Sequence, residues 1–213
     1  MSRSRSTMHQ KTRPERSICV YCGSGPGRSP VYVKAARSLG RSIAKAGIGL
    51  VYGGGSLGLM GETAKAALGA GGYVTGIIPT FLSEKEKMLR DVDELIVVDD
   101  MHRRKMLMFE RSDAFVALPG GMGTLEELVE QQTWAQLGRH RKPIVVCNVA
   151  SFWEPYLKLI SHMRDELFIR PGLEISLTTV DRAEDVVATV EQKWGIADAA
   201  RAEDEYTEIS EKF

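Results

Sequence analysis

The chain has 213 residues, of which 43% are hydrophobic, enough for one domain with extensions and a core that needs no disulfide or metal staple. Its 28 basic and 28 acidic residues balance, which excludes a global field for nucleic acid or an anionic membrane. No apolar run approaches the roughly 18 residues of a membrane-spanning helix. The ends are asymmetric. Arg3, Arg5, Lys11, Arg13 and Arg16 face only Glu15 at the start, while Asp198, Glu203, Asp204, Glu205, Glu208 and Glu211 face Arg201 and Lys212 at the end. Both ends lack apolar periodicity. The expected organisation is a disordered basic leader over 1–16, a folded domain over 17–191 and a solvated acidic tail over 192–213. The leader has the Arg/Ser composition of a transit peptide but no amphipathic face, and no apolar centre of a secretory signal.

In chain order, residues 17–22 predict a strand that ends in a Gly23–Gly27 turn, and residues 30–46 a helix with Ser29 as N-cap and Pro30 at its first position. Residues 49–52 predict a second strand, followed by Gly53-Gly54-Gly55-Ser56-Leu57-Gly58 and a helix over 60–68. Residues 73–78 predict a third strand, closed by Pro79, and residues 80–93 a charged loop or lid. Strands over 95–98, 114–118, 144–147 and 176–180 then alternate with helices over 101–111, 124–137, 152–167 and 181–190. Short apolar strands alternating with helices indicate an α/β fold with a doubly wound parallel sheet. Cys19, Cys22 and Cys147 are odd in number, which points to a reducing cytoplasm. The C-x-x-C of the first pair reads as buried structural thiols, because nothing completes a zinc site.

Four glycine-bearing strand ends point to one edge of such a sheet, where ligands bind. The strongest follows Phe115-Val116-Ala117-Leu118 and reads Pro119-Gly120-Gly121-Met122-Gly123-Thr124-Leu125-Glu126-Glu127. Glycines at a helix start leave amides uncovered where the helix dipole favours an anion. Gly53-x-Gly55-x-x-Gly58 matches a dinucleotide fingerprint, but the next strand end carries no ribose-binding carboxylate, so a mononucleotide is the better ligand. The P-loop lysine is also missing. Two features stay open on the residues alone. Met101-His102-Arg103-Arg104-Lys105 is either a solvated basic helix start balanced by Asp99 and Asp100, or a clamp for phosphate or a carboxylate. Thr124 and Glu127 are either a capping box, or a cap beside a reactive carboxylate kept ionised by the helix N-terminus. Helical spacing puts Glu126 and Thr133 on one face and Glu127 and Trp134 on another.

The Pro119-Gly120-Gly121-x-Gly123-Thr124-x-x-Glu127 run, with Met101-His102-x-Arg104-Lys105 upstream, resembles the LONELY GUY family of cytokinin riboside 5′-monophosphate phosphoribohydrolases. The resemblance spans residues 18–190 and includes Trp134-Ala135-Gln136-Leu137-Gly138. It implies a single Rossmann-like nucleotide-binding catalytic domain and hydrolysis of the N-glycosidic bond of an N6-modified AMP to free base and ribose 5-phosphate. AMP nucleosidase activity on plain AMP, and a non-catalytic nucleotide-binding protein, are the alternatives. By motif position it implies Arg104 and Glu127 as the catalytic pair. The implied nucleotide contacts are Ser24, Gly53, Gly54, Gly55, Glu86, Arg104, Lys105, Thr133 and the run Gly120, Gly121, Met122, Gly123, Thr124, Leu125, Glu126 and Glu127. No cofactor or metal is implied. The expected partners are a nucleoside 5′-monophosphate and a second copy of the chain in a homodimer, with neither nucleic acid nor membrane. His102 and His140 read as surface or supporting residues.

Overall fold

The computed structural model describes residues 11–83, 87–170, 172 and 177–210. Its elements run β1 (Ser17–Tyr21), α1 (Pro30–Lys45), β2 (Gly49–Tyr52), α2 (Gly58–Gly69), β3 (Val74–Pro79), α3 (Thr80–Ser83), β4 (Glu94–Val98), α4 (Met101–Glu110), β5 (Ala114–Ala117), α5 (Met122–Gln136), β6 (Ile144–Cys147), α6 (Glu154–Asp165), β7 (Thr178–Val180) and α7 (Val186–Ser210). The strands form one parallel sheet in the order β4-β3-β2-β1-β5-β6-β7. The order reverses between β1 and β5, which opens a crevice at their carboxyl ends.

Period-two alternation sends neighbouring side chains to opposite faces. On one face Ile18, Val20, Leu50, Val116 and Val145 pack beneath α1, α2 and α7. On the other, Cys19, Tyr21, Val51, Phe115 and Val146 pack beneath α4 and α5. Both faces are covered, so the strands are apolar throughout, as parallel sheets require. Cys19 and Cys22 lie in the clusters on opposite faces, and all three cysteines are buried and unpaired. The helix α1 starts as its sequence dictates: Ser29 Oγ accepts from Val31 N at 3.4 Å, with Pro30 next. No helix among the described residues is long and apolar enough to cross a membrane.

The structure corrects four expectations. First, α5 begins at Met122 with Gly121 as N-cap, two residues before the expected start, so Thr124 is not the cap and no capping box forms. Met122 and Gly123 were read as turn but lie in the first helical turn, while Gly121 keeps extended backbone as the N-cap. Second, the leader is held from residue 11 onward. Lys11 Nζ donates to Gly72 O at 2.7 Å and pairs with Asp93, and Arg13 donates to Arg111 O at 3.1 Å. These cations satisfy carbonyls just past the ends of α2 and α4, where the helix dipole favours positive charge. Third, the acidic tail does not separate at 192. Helix α7 continues to Ser210, Trp194 is buried, and its Nε1 donates to Asp113 O at 3.0 Å. Asp198 binds Arg16, whose guanidinium also stacks over Trp194 at 4.8 Å. One buried tryptophan thus docks a segment whose charges hid its apolar face. Fourth, the 80–93 segment is not all loop. It opens with α3, and residues 87–89 lie across the second glycine turn through Ser56 N to Lys87 O at 2.8 Å and Leu89 N to Gly54 O at 3.1 Å.

Trp194→Ala is expected to cost about 3 kcal/mol of stability, read as a lower urea midpoint. An unchanged midpoint would mean that α7 beyond residue 191 does not belong to the folded unit.

Candidate active site

The site forms where the reversal of strand order brings the ends of β1 and β5 together. Gly23 N donates to Pro119 O at 3.1 Å and ties the two turns to each other. The glycine turns then take different parts. Leu59 N and Met60 N, at the start of α2, both donate to Gly23 O, at 3.0 and 3.3 Å. Their amides are therefore spent inside the protein. Gly58 permits that approach, since a Cβ there would lie 2.2 Å from the Ser24 carbonyl carbon. At α5 the opposite holds. Gly121 has no side chain to cap the helix, and no atom of the described residues lies within 4 Å of where a Cβ would sit on Gly121 or Gly123. Gly120 lets Thr124 fold back over the turn, because a Cβ on it would come 2.1 Å from Thr124 Oγ1. The first amides of a helix have no intrahelical partner, so this turn, unlike that of α2, leaves a cradle of amides open to an anion.

Beside it, Arg104 from α4 meets Glu127 from α5. Arg104 Nη1 lies 3.0 Å from Glu127 Oε1, and both residues are 7% exposed. Arg104 Nε donates to Ile77 O at 3.2 Å. The guanidinium occupies space that only glycine at position 53 leaves free, since a Cβ there would sit 2.3 Å from Arg104 Nη2. Lys105, the next residue of α4, has its Nζ 2.5 Å from Glu126 Oε1 and 2.9 Å from Glu130 Oε1. The basic start of α4 is thus a clamp on carboxylates, and Asp100 caps the helix by accepting from Arg103 N at 2.8 Å.

Glu127 differs from the ionised group expected at a helix N-terminus. Because α5 starts at Met122, Glu127 lies in the second turn, beyond the reach of the dipole. Burial is the largest influence and pushes its carboxyl up from 4.5 to about 7. The pull of Arg104 is outweighed, Glu126 and Glu130 add to the rise, and Lys105 opposes it.

The remaining expected residues fall as follows. Ser24 is exposed at the rim, and Met122 and Glu126 are exposed beside the cradle. Leu125 is half-buried, its N donating to Gly121 O at 3.0 Å. Gly54 and Gly55 are buried under residues 87–89, so that turn serves the site by housing Arg104. Thr133 shares the exposed face of Glu126 but stands two turns along α5, with its hydroxyl on Val129 O at 2.8 Å, and is not at the cradle. Glu86 lies outside the described residues. His102 is exposed. His140 is buried, accepts from Lys142 N on Nδ1 and donates from Nε2 to Gln131 O, which is a supporting role. The sequence reading missed Glu130. Its position one turn after Glu126, facing a helix that starts with basic residues, was the available signal.

A family model described as "Possible lysine decarboxylase" matches residues 60–190. The chain is 43% identical over 187 residues to the cytokinin riboside 5′-monophosphate phosphoribohydrolase of Rhodococcoides fascians, across 87% of this chain and 94% of that protein. It is 45% identical over 177 residues to the phosphoribohydrolase LOG of Oryza sativa subsp. japonica, across 83% of this chain and 73% of that protein. The chain belongs to the LONELY GUY family. Among solved structures, the molybdenum cofactor carrier protein of Chlamydomonas reinhardtii is 26% identical with a TM-score of 0.61, covering 86% of this chain and 99% of that one. DNA processing protein A of Helicobacter pylori, 15% identical with a TM-score of 0.54 over 84% of this chain and 81% of that one, shares the fold. The decarboxylase description finds no support at this LONELY GUY site. A Schiff-base lysine needs a lowered pKa. Burial alone would lower that of Lys105, but its hydrogen bonds to Glu126 and Glu130 leave it raised.

The folded chain holds the Glu127 proton between about 4.5 and about 7, where the unfolded chain has released it. That contribution to stability is full below the window and is lost as the pH rises through it. From pH 5 to pH 8 the wild type should lose on the order of 2–3 kcal/mol more stability than Glu127→Gln, measured by urea unfolding. Parallel losses in the two proteins would show that Glu127 has an ordinary carboxyl.

Proposed function

We propose that this chain hydrolyses the N-glycosidic bond of an N6-modified AMP, a cytokinin riboside 5′-monophosphate, to the free base and ribose 5-phosphate. The observation that carries this reading is the buried Arg104–Glu127 pair at 3.0 Å beside the uncapped start of α5, in a chain of this family. The amides at Gly121, Met122 and Gly123 bind the 5′-phosphate, and Ser24 and Lys105 border that region. Anchoring the phosphate uses remote binding energy to bring C1′ towards Glu127.

Breaking the C1′–N9 bond leaves its electron pair on the base and builds oxocarbenium charge on the ribose. Ionised Glu127 stabilises that charge and orients the attacking water, as carboxylates do in glycosidases. The water supplies hydroxide to C1′ and, in balance, a proton to the departing base. A carboxyl near 7 is poised to take and return a proton at neutral pH. Arg104 holds Glu127 in position. No step calls for a cofactor.

A second reading, nucleotide binding without turnover, is favoured by the likeness to a carrier protein of the same fold. Purified chain incubated with isopentenyladenosine monophosphate separates the two, since accumulation of ribose 5-phosphate excludes a mere carrier. Glu127→Gln should lower kcat by about 10³-fold or more, and an undiminished rate would remove Glu127 from the chemistry. A kcat/KM ratio favouring plain AMP over the prenylated nucleotide would make the chain an AMP nucleosidase.

We also propose a homodimer. Met122 and Val129 on α5 and Leu137 at its C-cap are exposed, as are Leu159 and Met163 on α6, and the two helices are linked by a hydrogen bond between Tyr156 and Gln132. Exposed apolar side chains grouped on two neighbouring helices suit an interface. Thr133 lies on this face and would reach a nucleotide only across it. Sedimentation velocity is expected to give a dimer that Leu137→Asp with Met163→Asp converts to monomer; a monomeric wild type would refute the assembly.

A further inference from the structure

We propose that Lys105 and Glu130 form a positioning pair that holds α4 against α5 and sets the charge around Glu127. The inference deepens the catalytic reading above and rests on it. Lys105 lies next to Arg104, in the motif that the family resemblance assigns to nucleotide contact. Its side chain is only 11% exposed, and its ammonium is engaged by two carboxylates at 2.5 and 2.9 Å. Two of its three N–H donors are spent on these carboxylates, which fixes the ammonium of α4 onto α5. Glu130 is 22% exposed at its side chain. Its Oε1 binds Lys105, and its Oε2 is buried with no hydrogen-bond partner among the described residues. Leaving a carboxylate oxygen unpaired costs stability, so the position of Glu130 is not explained by packing.

Charge explains it. Two cations, Arg104 and Lys105, meet three carboxylates, Glu126, Glu127 and Glu130. The cluster is neutral when Glu127 is protonated and carries one negative charge when it is ionised. Among the described residues, Cys19 and Tyr21 of β1 and Cys22 just after it also face Glu127, and burial keeps all three in their neutral forms. Protonation of Glu127 therefore answers to the α4–α5 charges. Removing Lys105 leaves excess negative charge and strengthens the hold of Glu127 on its proton. Removing the Glu130 charge does the opposite.

The test reads Glu127 directly. Full-length chain carrying ¹³C-carboxyl glutamate is titrated by NMR, with the Glu127 signal identified by its loss in Glu127→Gln. The midpoint is expected to rise by about one pH unit in Lys105→Met and to fall by a similar amount in Glu130→Gln, with Lys105→Arg returning it to the wild-type value. The acidic limb of kcat should move in the same directions. Midpoints that stay put, or that move together, overturn the proposal. So does a Lys105→Met variant whose KM rises while its midpoint is unchanged, because Lys105 then binds substrate. Glu130→Gln preserves shape, and circular dichroism verifies the fold of each variant. If Glu127→Gln remains fully active, the catalytic reading fails by itself, while the NMR midpoints still decide the electrostatic pairing.

Discussion

The buried ion pair between Arg104 and Glu127 is the constraint on which the rest of the site depends. Two charges removed from water are tolerated only when each meets the other and further hydrogen bonds complete the geometry. Here Arg104 also donates to Ile77 O, within β3. Removing either partner would strand the other charge, at a typical cost of about 3–5 kcal/mol. A pair of this kind is a poor way to gain stability, because apolar residues of the same volume would serve as well. Its presence next to an open helix start is what a reaction would require.

Several separate features of the chain exist to allow that contact. Position 53 is glycine because the guanidinium takes the space of its side chain. The helix α4 begins with cations because three carboxylates of α5 face it, which reverses the usual penalty for positive charge at a helix start. The sheet order brings the helices together. Both α4 and α5 flank β5 in sequence and cover the same face, where Leu107, Met108 and Leu128 share one core cluster.

Competition for amides decides which glycine turn faces a ligand. The start of α2 is glycine-rich, yet its amides are consumed by the carbonyl of Gly23. Among the described residues the start of α5 meets no such internal acceptor, and its cap lacks a side chain. Similar strings thus act differently: one turn locks β1 to α2 and shelters Arg104, while the other remains available for an anion. The sheet crevice is a general ligand site of doubly wound folds. In the proposed reaction, the chemistry is set by the carboxylate and its cation.

The sequence by itself determined the alternation of strands and helices, because apolar period and glycine punctuation are local. It also determined the family, because the Gly120–Glu127 run and the Arg104–Lys105 pair are contiguous strings. Only the tertiary structure decided the strand order, the docking of Trp194 and residues 11–16, and the displaced start of α5, since each depends on partners far away in the chain. The same holds for the state of Glu127. From sequence it is a carboxylate near a helix N-terminus, which predicts ionisation. In the fold it is one turn too deep for the dipole and almost wholly desolvated, and burial outweighs a single guanidinium. Desolvation is a property of everything packed around a group, so no local reading of Thr124 to Glu127 could have supplied it.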